Sequence, residues 1–206
     1  AYEAVKAAVS KKNITLLGVH SHIGSQIFET DGFQLAVERV ATFARSVKEG
    51  LEVDFRVVNL GGGFGIRYVE GDTPLHVSEY VAAITDAVKT HFAGIYSALP
   101  EIWVEPGRSI VGDAGTTLYT VGSNKDIPGV RKYVAVDGGM TDNPRPALYQ
   151  SKYEALLANR ANEDATETVS IACKCCESGD MLIWDVELPK AESGDLFAVA
   201  CTGAYN

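Results

Sequence analysis

The sequence predicts an α/β segment built on a parallel sheet, followed by a mainly antiparallel β segment. Three observations carry that prediction. In the first half, short apolar runs alternate with stretches of helical periodicity, and each helix returns the chain to begin a strand parallel to the last. After about residue 112 the helical stretches give way to short strand-like runs separated by turns. Each first-half strand also ends in glycine, histidine or charged residues, so polar chemistry collects at one rim of the sheet.

The elements follow in order. Ile14 to His22 is an apolar run that reads as a buried strand. Phe33, Val37, Val40, Phe43, Ala44 and Val47 then recur at helical spacing, and Gly50 is a stop signal. Phe55 to Leu60 reads as the second strand, and it runs into Gly61-Gly62-Gly63-Phe64-Gly65. A second helix follows, with Ser78 as the expected N-cap and Val81, Ile84, Val88 and Phe92 on one face. The third strand, Ile102 to Glu105, stops at Pro106-Gly107. Beyond it, Thr116–Val121, Tyr133–Val136, Val169–Ala172 and Leu196–Ala200 read as strands, and 151–168 as a solvated helix or loop. The expected division is 1–111 and 112–206.

Composition bounds the function. The 206 residues are 46% apolar and 22% charged, ordinary for a soluble chain, and no apolar run approaches the roughly 18 residues that span a bilayer. The first residues lack the basic-then-apolar order of a secretory signal. A net charge of −9 argues against nucleic acid, which calls for a basic stripe, but leaves room for a small anion held by local Arg and backbone N–H groups. Cys173, Cys175 and Cys176 are crowded together, with Cys201 apart. That spacing suits neither a disulfide framework nor a zinc site, so no metal is expected and free thiols in a reducing cytoplasm are the simplest reading.

The loaded strand ends are His20-Ser21-His22-Ile23-Gly24-Ser25-Gln26, Gly61 to Gly65, and Glu105-Pro106-Gly107-Arg108. A glycine run lets backbone N–H groups approach an anion, and equally makes a sharp turn. It is not a dinucleotide fingerprint, because Ile66 stands where the last glycine belongs, nor a P-loop, because no Gly-Lys-Ser/Thr follows. Glu105 and Arg108 suit a site or an ion pair that closes the loop. His20 and His22 share a strand face by alternation, and the pattern does not choose between them.

Taken together, His22-Ile23-Gly24-Ser25-Gln26, the glycine run, Glu105-Pro106-Gly107-Arg108 and Cys176-Glu177-Ser178-Gly179-Asp180 resemble the signature of the fold-type III pyridoxal-phosphate decarboxylases. The run Asp137 to Tyr149 is closer to the diaminopimelate decarboxylases than to the ornithine and arginine enzymes. The resemblance covers essentially the entire chain. It implies the later part of a (β/α)8 TIM barrel that binds pyridoxal 5'-phosphate, followed by a mainly antiparallel β-sandwich or barrel domain, both incomplete.

The resemblance also implies roles. Glu105 pairs with the cofactor's ring nitrogen, His22 stacks on the ring, and His20 is a deeper packing residue. Ser25, Gly61, Gly62, Gly63, Gly107 and Arg108 hold the phosphate, and Tyr205 lies beside the cofactor. Arg108, Arg145, Tyr149, Glu177 and Tyr205 receive an amino-acid substrate with a second charged head, Arg being suited to carboxylates. Cys176 is either a proton donor or a small buried thiol. The Cys-Glu segment reaches a neighbouring subunit's site, which implies a homodimer. The implied reaction takes meso-2,6-diaminopimelate to L-lysine and CO2. A relative acting on another amino acid or carboxylated polyamine is the second reading, and a non-catalytic paralogue that binds partners is the third.

One departure from the family pattern stands out. The lysine that carries the cofactor lies well upstream of the His-Ile-Gly-Ser motif, whereas only thirteen residues precede Ile14. Lys6, Lys11 and Lys12 sit in a polar, helical stretch and are no substitute. The expectation is a fragment of a longer polypeptide, inactive alone.

Overall fold

A computed structural model describes residues 1–206. The chain forms two compact units: residues 1–65 with 73–109, and residues 66–72 with 110–206.

The first unit is α/β. Its elements are α1 (Tyr2–Val9), β1 (Gly18–His20), α2 (Asp31–Leu51), β2 (Val57–Asn59), α3 (Val77–His91) and β3 (Glu101–Trp103). The three strands form a parallel sheet in the order β1-β2-β3, with His20, Asn59 and Trp103 in register. Val58 and Leu60 are fully buried in one core with Phe33, Val37, Val47 and Ile84 of the two long helices. Neighbouring strand residues alternate in direction, so His20, Asn59 and Glu105 belong to the face turned away from those helices.

Sequence periodicity locates both helices and misplaces two of their ends. Gly50 does not stop α2; the helix runs through it to Leu51, and Glu52 takes the left-handed conformation with its N–H on Lys48 O. The Tyr2 ring lies against Gly50, and a Cβ there, 2.0 Å from the Tyr2 hydroxyl, would push that side chain aside. At α3 the cap is His76, not Ser78. The His76 side chain accepts from Ser78 N–H, and the His76 main-chain N–H donates to Glu79 Oε2 at 2.9 Å, a capping box with histidine in the hydroxyl's place. The cap two residues earlier turns Tyr80 inward, fully buried, and leaves Val81 38% exposed.

The second unit is a six-stranded sheet in the order β6-β9-β4-β5-β7-β8. Its strands are β4 (Thr116–Ile127), β5 (Arg131–Val136), β6 (Ala155–Leu157), β7 (Glu167–Ala172), β8 (Met181–Leu188) and β9 (Leu196–Ala200). Every pairing is antiparallel except β5 with β7. A short helix α5 (Arg145–Tyr149) completes the unit, and another, α4 (Arg108–Val111), spans the division at 109/110. Two strands lie outside the sequence expectation. β6 falls in the segment read as a solvated helix or loop, yet Leu157 is 1% exposed in the core. In β8, alternation breaks at Asp185, whose φ of 56° puts a kink in the strand. Residues 66–72 join this unit, where Tyr68 meets Tyr153 edge to face at 5.3 Å.

Candidate active site

Two loops at the strand ends of the first unit are joined along their length. Ile27 N–H donates to Gly63 O and Gly65 N–H to Ile27 O, each at 2.9 Å, a parallel bridge between Ile27 and Phe64. Glycine permits the approach, since a Cβ on Gly63 would lie 2.3 Å from Gly24 O and one on Gly62 2.0 Å from Glu105 O. Gly61 and Gly63 also adopt φ of 70° and 98°, which side chains disfavour. Phe64, 1% exposed, anchors the glycine run from below, stacked on Tyr80 at 4.8 Å and tilted against Phe33 at 5.3 Å. The Tyr80 hydroxyl donates to Ile27 O at 2.7 Å, and burial raises its pKa, which keeps it a donor.

On this base sits a polar constellation. Glu105 Oε1 accepts from Asn59 Nδ2 at 2.7 Å, and Glu105 Oε2 lies 3.3 Å from His20 Nε2. Asn59 Oδ1 in turn accepts the Gly61 N–H at 2.9 Å. The carboxylate and the His20 ring are about half exposed. His22 is exposed, and its Nδ1 accepts the Gly62 N–H at 3.4 Å, which sets the ring against the glycine loop. Arg108 is buried at 6% exposure and donates to Ser25 Oγ at 2.7 Å and to Gln26 Oε1 at 3.2 Å. Its charge therefore lies directly beneath the serine of the His-Ile-Gly-Ser segment. Gly107 is exposed beside it, and the Ser21 and Ser109 hydroxyls are buried with no partner.

Of the expected site residues in this unit, His22, Ser25, Gly61, Gly62, Gly63, Glu105, Gly107 and Arg108 all fall on these strand-end loops. The reading of His20 as a deeper packing residue is corrected: it is exposed and faces Glu105. Asn59 was not anticipated. Its only sequence signal is its place two residues before Gly61, at the end of a strand.

The remaining expected residues belong to the second unit. Arg145 donates from Nε to the Tyr153 hydroxyl at 3.1 Å and from Nη2 to Ser151 Oγ at 3.2 Å, and lies over the Tyr149 ring at 5.8 Å. Tyr149 and Tyr205 are 70% and 62% exposed. Cys176 and Glu177 lie on an exposed loop, which corrects the buried-thiol alternative for Cys176. That loop is organised by Asp180, a buried residue whose two oxygens accept from Met140 N–H at 2.6 Å and Cys175 N–H at 2.8 Å. Burial next to Asp180 pushes the Cys173 thiol up to about 12, so it stays neutral. Lys6, Lys11 and Lys12 are exposed on or just after α1, away from any strand.

Known proteins match this arrangement. The family described as pyridoxal-dependent decarboxylase, pyridoxal binding domain, matches residues 1–112. The diaminopimelate decarboxylase of Bacillus subtilis (strain 168) is 61% identical over 202 residues, which are 98% of this chain and 46% of that protein. A solved diaminopimelate decarboxylase from M. jannaschii in complex with L-lysine superposes with a TM-score of 0.88 at 36% identity, over 99% of this chain and 46% of that one. The Helicobacter pylori enzyme with L-lysine gives a TM-score of 0.83 at 31% identity, over 100% and 48%. The chain thus spans about half the length of the relatives it matches. The residues present fit the cofactor that this family implies. A half-exposed carboxylate with one partner on each oxygen keeps acceptor sites for a ring nitrogen, a glycine cradle admits no Cβ, and a buried Arg lies under a serine hydroxyl. On the match of its first 112 residues and the site they build, the chain belongs to the pyridoxal-dependent decarboxylases.

Proposed function

We propose that the polypeptide containing this chain decarboxylates meso-2,6-diaminopimelate to L-lysine and CO2, in lysine biosynthesis, with pyridoxal 5'-phosphate as cofactor. The observation that carries the reading is the Glu105 carboxylate, held at the sheet rim beside two interlocked loops, one rich in glycine and the other seated on the buried Arg108. Relatives named diaminopimelate decarboxylase, two of them solved with L-lysine, support the choice of substrate.

When bound, the cofactor ring takes up the electron pair that departing CO2 leaves behind. Glu105 holds a proton at the ring nitrogen. His22, tethered through Nδ1, presents its ring to the cofactor ring. Ser25 Oγ and the Gly63 N–H, which takes no part in the loop's internal hydrogen bonds, bind the phosphate, with Gly107 beside them and Arg108 beneath supplying positive charge. The N–H groups of Gly61 and Gly62 serve Asn59 and His22 instead, so these two glycines shape the cradle. Arg145, Tyr149 and Glu177 receive the distal amino-acid head, and Tyr205 lies by the cofactor. Cys176 is the proton donor to the carbon that loses CO2. A second copy of the polypeptide completes the site through the exposed Cys176–Gly179 loop.

In this reading 1–111 is part of the cofactor-binding barrel and 112–206 part of the β domain. None of Lys6, Lys11 and Lys12 carries the cofactor, and turnover belongs to the longer polypeptide. A cytoplasmic location accords with four free cysteines; no helix is long and apolar enough to cross a membrane. The test is to supply the full-length polypeptide and cofactor with meso-diaminopimelate and measure L-lysine and CO2. Equal amounts of both are expected. Turnover of ornithine or a carboxylated polyamine in place of diaminopimelate would overturn the substrate assignment.

A further inference from the structure

The Glu105 carboxylate is half exposed and sits on a flexible side chain, yet its geometry is defined from two sides. On one side Asn59 forms a rigid link. Its Oδ1 accepts the Gly61 main-chain N–H and its Nδ2 donates to Glu105 Oε1, so turning the amide over would break both bonds. On the other side His20 Nε2 meets Oε2 at 3.3 Å. Sheet register brings these groups together. His20 and Asn59 are partners on adjacent strands, and Glu105 lies two residues beyond Trp103, the partner of Asn59 on the third strand.

An exposed polar network of this kind contributes little to folding stability, so stability does not explain it. Its chemical effect is specific. One partner fixes each carboxylate oxygen, and two such donors still leave acceptor sites on a group that has about four. We propose that Asn59 and His20 are positioning residues that fix the direction of the Glu105 carboxylate, so that it can hold a proton on the cofactor's ring nitrogen. The proposal rests on the reading of Glu105 given above. Without the donors, the carboxylate swings away from the ring nitrogen.

The test loads the full-length protein with pyridoxamine 5'-phosphate labelled with 15N in the ring and follows the ring-nitrogen chemical shift against pH. This ligand needs no lysine attachment, and the readout needs no turnover. The native protein should keep the ring protonated well above the free ligand's midpoint. Asn59→Leu and His20→Leu should each lower the ring's proton affinity about tenfold, one pH unit. His20→Gln, which keeps a side-chain N–H donor, should restore most of that loss. Glu105→Gln is the control. If it lowers ring proton affinity while Asn59→Leu and His20→Leu leave it unchanged, the positioning role is overturned and the reading of Glu105 stands. If Glu105→Gln changes nothing, both fall. Should Asn59→Leu fail to fold, Asn59→Ser is read in its place, with the same expected drop.

Discussion

Arg108 shows how a residue can be legible in type and not in use. The sequence reading placed it with phosphate and substrate carboxylates, because Arg beside a Pro-Gly turn suits an anion. In the structure its guanidinium is buried and engaged by Ser25 and Gln26, so its first role is to hold the loop that carries the serine. Arg108→Lys keeps the charge and loses the planar fork. It should destabilise the protein by about 2 kcal/mol, the scale of hydrogen bonds to a charged group, and weaken cofactor affinity together with it. Denaturant unfolding and a cofactor titration measure the two effects; an unchanged midpoint would show that the loop does not depend on the fork. His22 and Glu105 were readable because they stand inside recognisable motifs. Asn59 and His20 were not, because their role arises from lateral register, with Asn59 and Glu105 lying 46 residues apart. Asp180 was likewise quoted only as the end of a motif, and its work on two loops is visible only in three dimensions.

At the scale of elements, the site depends on the aromatic group of Phe33, Phe64 and Tyr80 under the two loops. Phe64→Ala should cost about 3–5 kcal/mol, as large-to-small changes in a packed core do. Tyr80→Phe, which keeps the ring and removes one of the two donors to Ile27 O, should cost about 1 kcal/mol. Equal losses in the two variants, read by urea unfolding, would contradict this ranking. In the β unit, Asp195 accepts from Asn159 Nδ2 at 2.8 Å, from Glu192 N–H at 2.9 Å and from Arg160 at 3.3 Å. The Asn159 hydrogen bond leads in holding its carboxyl below the ordinary range. Because the folded value is the lower one, the stabilisation is fully present above the unfolded value of about 4 and is lost as pH falls through the folded one. Acid unfolding should therefore be steeper in the native protein than in Asp195→Asn, with the difference confined to pH below about 5. Parallel curves would remove Asp195 from the account. The long helices and the central runs of seven of the nine strands were plain from periodicity. What periodicity missed has local causes: a histidine cap, a glycine inside α2 that lies against Tyr2, a three-residue strand, and the Asp185 kink.

At the scale of the molecule, a parallel α/β unit and a mainly antiparallel β unit match the order expected from the sequence. The expectation of one continuous boundary did not foresee residues 66–72, whose Ile66 and Tyr68 pack in the second unit's core. Those residues follow the glycine run directly, where composition reads as loop and no helical or alternating period marks a change of unit. The family was legible because its motifs are short, contiguous and rich in residues that chemistry restricts. The proposed substrate was less so, since the residues assigned to its distal head are scattered from Arg145 to Tyr205. The account as a whole turns on Glu105 as the group that holds the ring proton. The most direct measurement is kcat of the full-length enzyme against its Glu105→Gln variant at equal cofactor loading. A fall on the order of 100-fold or more is predicted, the scale set by removing a preorganised electrostatic partner; turnover within a few-fold of the native enzyme would contradict the account.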